Sequence, residues 1–110
     1  MSQHDMLYQP VTILEGGTIS DVANVFNKTI VGFDLPLGFP ATNITFMAKS
    51  KIDGEFVPYA FDGTAVSLAA VDGVIGVAPS KFAAVQQLKI VSDTPMTEDT
   101  TIYVIARSVS

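Results

Sequence analysis

The chain contains no cysteine and no tryptophan, has a single histidine, and carries charge on only 15% of its residues. Without cysteine there can be no disulfide framework, no thiolate metal site and no thiol nucleophile. The histidine, His4, sits in the first ten residues. A general base needs rigid support, so His4 is read as a solvated terminal residue. Ser20, Ser50, Ser67, Ser80 and Ser92 lack the Gly-x-Ser-x-Gly setting that activates a serine, and are read as turn or surface hydroxyls. The expectation is a protein that is not an enzyme and uses no cofactor.

Basic residues are also scarce. Six Lys and Arg face eleven Asp and Glu, giving a net charge of −5 and a pI near 4.4. Such a surface repels phosphate backbones, which argues against a nucleic-acid partner. No apolar run approaches the roughly 20 residues of a spanning helix, so no membrane partner is expected. Residues 1–9 have neither the basic nor the apolar segment of a signal peptide, so the expected place of synthesis is a cytoplasm.

What the chain does have is apolar surface in excess of its charge. Its residues are 48% hydrophobic, with a mean hydropathy of +0.41, while the charged fraction falls well below the roughly 25% of ordinary soluble domains. Too few ionic groups remain to coat the whole surface, so part of it is expected to lie against other protein. At 110 residues the chain fits one domain, divided here into an extended N-terminal arm, residues 1–10, and a β domain, residues 11–110. Met6, Leu7 and Tyr8 are costly to leave in water. The arm is therefore expected to reach a neighbouring subunit, and its removal to leave the domain folded.

Three Asp-Gly pairs, Asp53-Gly54, Asp62-Gly63 and Asp72-Gly73, punctuate residues 43–78. Asp-Gly supplies the positive φ that tight hairpins need, and the runs between the pairs have strand length, so this stretch reads as a β-meander. Strands are predicted over residues 11–15, 18–26, 29–35, 43–49, 55–61, 64–71, 74–78, 87–92 and 101–108. Alternation places Val31, Phe33 and Leu35 on one face of their strand, Ile44, Phe46 and Ala48 toward the core, and Leu88 and Ile90 inward. In the last strand Ile102, Val104 and Ala106 face in, while Tyr103 and Ile105 face out. Pro58 belongs at an edge or a bulge, and residues 79–85 predict one or two helical turns after Pro79. The fold class is all-β: an antiparallel β-sandwich or jelly roll of about eight strands, with the strand order open between a Greek key and an up-and-down barrel.

Two binding chemistries can be weighed on these residues. The recurring Asp53, Asp62 and Asp72 are oxygen ligands of the calcium type, but successive meander turns lie at opposite ends of a sheet, so they are read as turn formers and no metal is expected. Tyr59 beside Phe61 could form a sugar platform, against a simpler reading of Tyr59 as an edge-strand aromatic packed on a loop.

The run Ile44-Thr45-Phe46 through Ser50, then Asp53-Gly54, Phe56-Val57-Pro58, Asp62-Gly63, Pro79, Phe82 and Leu88-Lys89-Ile90-Val91-Ser92, resembles small structural proteins of tailed-bacteriophage virions. That group includes jelly-roll or β-sandwich decoration (cement) proteins. Gln86-Gln87 stand where that pattern often has a basic or aromatic residue. The resemblance implies a virion protein, made in a host bacterial cytoplasm, that binds the assembled lattice of major capsid protein, stabilises the head shell, and self-associates as a homotrimer. Met6, Leu7, Tyr8, Gln9 and Pro10, with Tyr103 and Ile105, are the expected protein contacts. The alternative is a carbohydrate-binding module of a phage tail or host-recognition apparatus.

Overall fold

The first and last strands pair with each other. In a computed structural model, which describes residues 6–52 and 54–108, strand β1 (Met6–Ile13) runs antiparallel to β11 (Thr100–Ser108), from Met6 opposite Arg107 to Ile13 opposite Thr100. The same inward folding continues along the chain. β2 (Ala23–Asn24) pairs β10 (Gln87–Ser92), β3 (Lys28–Leu35) pairs β9 (Gly73–Gly76), and β4 (Asn43–Lys49) pairs both β5 (Phe56–Pro58) and β8 (Ser67–Ala69). The chain is thus one long hairpin rolled over itself, which is a jelly roll. Contacts of β11 with β3 and of β10 with β4 close two sheets, β1-β11-β3-β9 and β2-β10-β4-β5, with β8 on the same edge of β4 as β5.

Alternation sorts the side chains between core and outside. Ile44 and Phe46 of β4, Leu88 and Ile90 of β10, and Ile102, Val104 and Ala106 of β11 are buried as the pattern predicts. Three rings bridge the sheets: Phe33 of β3 stacks on Phe46 at 5.0 Å between centroids, and Phe82 meets them edge-on at 5.6 and 5.1 Å. Phe82 closes a 3₁₀ turn, Pro79–Phe82, shorter than the helical segment predicted over residues 79–85. The turn carries the chain from β9 in one sheet to β10 in the other.

Four expectations need correction. Residues 43–78 do not form a simple meander. Between β5 and β8 the strand leaves the edge of β4 as a small hairpin, β6 (Ala60–Phe61) with β7 (Thr64–Ala65), and Asp72-Gly73 lies on a crossover between the sheets. Asp62 and Gly63, at φ 56° and 81°, form the two-residue turn of that hairpin.

Val31 does not share a face with Phe33 and Leu35. The pairing of β3 with β11 shifts by one residue at this point, Ile105 opposite Gly32 but Ala106 opposite Ile30, so Ile30 takes the inward place. The predicted strand over residues 18–26 is mostly irregular, because its polar side chains take over ladder positions. Ile90 donates its N–H to the Ser20 hydroxyl at 2.9 Å, and Thr12 donates to the Asp21 carboxylate at 2.8 Å.

Finally, Met6–Pro10 are not a free arm but the first half of β1, and Leu7 packs against the core. Deleting residues 1–9 would therefore damage the sheet. The remainder of the expected arm, with His4, lies outside the described residues.

Because the three rings tie both sheets to the crossover turn, Phe82→Ala should remove about 3–5 kcal/mol of stability, read as a lowered urea midpoint. An unchanged midpoint would contradict the assignment of Phe82 to the core.

Candidate functional site

The register of the first sheet brings several predicted contact residues onto one outward face. Tyr8 lies opposite Ile105, Pro10 opposite Tyr103, and Met6 opposite Arg107. Met6, Tyr8, Pro10 and Tyr103 are exposed there, Tyr8 at 56% and Tyr103 at 42%. Across β3 and β9 the same rows continue through Gly32 and Gly76 and through Asp34 and Val74. The two glycines keep that half flat. Gly32 also has no room for a side chain, since a Cβ would lie 2.7 Å from the carbonyl oxygen of Ile75.

Three of the predicted contacts are placed differently. Leu7 and Gln9 alternate to the inner side of β1. Ile105 does point outward, as the alternation requires, but it is only 6% exposed and cannot be a leading contact. It lies in the central strand, flanked by Tyr8 across the register and by Tyr103 and Arg107 along its own strand. Ile105 is the floor of the face, and the two tyrosines are its rim.

β1 is also a sheet edge. Thr12 uses both its N–H and its carbonyl to bind Asp21, so its backbone polar groups point away from β11. By the two-residue alternation of antiparallel pairing, those of Pro10, Tyr8 and Met6 point the same way. Pro10, which has no N–H, therefore costs the ladder nothing and blunts the open edge.

Tyr59 is half-buried and does not stand free beside Phe61. Its ring stacks on Phe82 at 5.6 Å and its hydroxyl donates to the carbonyl of Lys81, which bears out the reading as an edge aromatic packed on a loop. Partial burial pushes its phenol above the ordinary range. Among the described residues no group of three or more His, Cys, Asp or Glu is placed to hold a metal ion.

One concavity was not legible in the sequence. At the end of the sandwich where β4 runs into its turn, a cleft of about 490 Å³ is lined by Phe26, Lys49, Lys51, Gln86 and Gln87, among others. Phe26 is 52% exposed, and the Gln87 amide donates to Asn24 at 2.8 Å beside it. The usable signal was Asn27, a turn former that adopts φ 64° and ends the run Phe26 was assigned to.

The opposite end is held together by carboxylates. Asp93 accepts the N–H groups of Thr42 and Asn43, each at 3.0 Å, and the Thr94 hydroxyl. Asp99 accepts from the Glu15 N–H at 2.9 Å, and Asp72 from that of Gly38 at 3.1 Å. The Thr42 bond in first place, with those of Thr94 and Asn43, holds the Asp93 carboxyl below the ordinary aspartate range against a smaller opposing effect of desolvation.

Comparison with protein-family models, with curated proteins and with solved structures gives no match for this chain. Fold and surface geometry carry the functional reading.

A depressed folded-state value means that Asp93 stabilises the fold above the unfolded aspartate pKa of about 3.9 and loses that contribution as pH falls through the lower folded value. The urea midpoint should therefore drop with acidification through and below that range. Asp93→Asn should lower the midpoint at neutral pH and flatten this part of the profile. A profile unchanged by the substitution would contradict the role of the carboxylate.

Proposed function

We propose that the chain is a non-enzymatic virion protein of a tailed bacteriophage that decorates the assembled capsid lattice and stabilises the head shell, docking through the outward face of its first sheet. The observation that carries this reading is the exposure of Met6, Tyr8, Pro10 and Tyr103 on one continuous face. Tyrosines on a rigid sheet give large contact area at little conformational cost, and aromatic anchors dominate interface energetics. The jelly roll supports the reading by analogy, since this architecture recurs in viral shells, although it also occurs in lectins and other unrelated proteins.

A protein that binds the assembled lattice and not its separated subunits stabilises the lattice by mass action, by about 2.7 kcal/mol per site when present at a hundred times its Kd. Repeated over a shell, that raises the work of rupture. A sheet face suits the task because its rows of side chains are set by backbone register and do not have to be ordered on binding. The trimer implied by the same resemblance belongs to this proposal. The packing of Tyr59 on Phe82 disfavours the glycan-binding alternative, which was argued from a freely exposed Tyr59.

The test mixes purified chain with assembled phage heads lacking it and, separately, with dissociated capsid subunits, and follows cosedimentation. The chain should sediment with heads and not with subunits. Replacing both rim tyrosines, Tyr8→Ser with Tyr103→Ser, should leave the melting temperature nearly unchanged and weaken head binding roughly 30-fold, about 2 kcal/mol. Undiminished binding by the double variant, or equal binding to free subunits, would overturn the proposal.

A further inference from the structure

The charges of this chain are segregated by the fold in a way the sequence order hides. The loops joining β1 to the Ser20 segment, β3 to β4, β8 to β9 and β10 to β11 gather at one end of the sandwich, as their shared hydrogen bonds show. That end holds Glu15, Asp72, Asp93, Glu98 and Asp99, with Asp21 and Asp34 close to it on the strand side. All six cations lie toward the other end: Lys28 and Arg107 at the paired ends of β3 and β11, Lys49 and Lys51 at the β4 turn, Lys81 in the 3₁₀ turn, and Lys89 two positions in from the start of β10. Among the described residues, Glu55 and Asp62 are the acids that lie elsewhere.

The two sets are separated by a strand length, roughly 25 Å, which is several Debye lengths at physiological salt, about 8 Å each. They cannot neutralise one another within one molecule. Parallel copies side by side would set like pole against like pole and repel. An end-to-end arrangement brings unlike poles together.

Each end also presents a shape and apolar surface. At the basic end the cleft between Phe26, Lys49, Lys51 and Gln87 is open, with Ile52 93% exposed on the adjoining turn. At the acidic end Leu37, 87% exposed, stands beside Glu98 and Asp99. An acidic end, with Leu37 of the uncharged β3–β4 loop as its apolar tip, thus faces away from a basic cleft with an apolar rim, and both belong to the same chain.

We propose that the acidic end of one copy seats in the basic cleft of a second copy, so that the chain self-associates head to tail. Such a contact is heterologous: it closes into a ring, a trimer among the options, or continues as an open chain. It uses neither Tyr8 nor Tyr103 and leaves the outward face of the first sheet free. Its test uses purified chain alone, so its failure is distinct from failure of the capsid reading.

Light scattering after size exclusion should show association at low ionic strength that is lost near 1 M salt, where the Debye length is about 3 Å. Glu15→Lys with Glu98→Lys cuts the charge of the acidic end by four units without touching the carboxylates that bind the loops, and Lys49→Glu with Lys51→Glu replaces both cations that line the cleft by acids. Each variant alone should self-associate at least about tenfold more weakly than the parent, while an equimolar mixture of the two should co-assemble. A parent chain that is monomeric at low salt, association that survives high salt, or folded variants that each assemble as well as the parent would overturn the proposal. If either variant fails to fold, the salt dependence of the parent decides.

Discussion

Contact between Phe33, Phe46 and Phe82 is the interaction on which the remaining structure depends. Phe33 belongs to one sheet, Phe46 to the other, and Phe82 to the turn that crosses between them, so each ring is held by a different part of the chain. The offset-stacked and edge-on geometries suit the quadrupoles of the rings, and the packed rings leave no freedom for the sheets to slide. Once that register is set, β11 is placed between β1 and β3 and the alternation along β1 follows. The exposed tyrosines are therefore rigid for reasons that lie on the far side of the sheet.

Much of the fold was legible because period two is a strong signal where one face is buried. Ile44 and Phe46, Leu88 and Ile90, and Ile102, Val104 and Ala106 all went where alternation put them. Asp62-Gly63 was legible as a tight turn, since its backbone needs positive φ at both residues. The readings that failed depend on contacts between distant segments. Nothing local shows that the one-residue shift opposite Ile105 turns Val31 out of the core, or that Ser20 and Asp21 lend side-chain oxygens to strands far away in sequence.

The candidate surfaces divide in the same way. Tyr8 and Tyr103 could be named as contacts from local pattern, but their adjacency is a product of the pairing of the first and last strands. Leu7 and Gln9 were misplaced because an arm has no inside, whereas a strand has one, and Ile105 because outward direction does not guarantee exposure when it lies in the central strand among long side chains. The polarity of charge could not be read at all. Lys28 and Arg107 are far apart in sequence and neighbours in space, and the same holds for Glu15 and Asp99. A jelly roll brings alternate loops to opposite ends, so a sequence with scattered charges becomes a molecule with two unlike poles.

The most direct test of the central claim, that the outward face of the first sheet is the docking surface, is amide hydrogen exchange on the chain free and bound to assembled heads. Met6 and Tyr8 direct their amides to the open edge of β1, where exchange in the free chain should be fast. The account predicts that binding slows exchange at these amides and along β1 generally, with little change in the outward-facing stretch of β4 and β10. Protection confined to β4 and β10, with β1 exchanging as in the free chain, would contradict it.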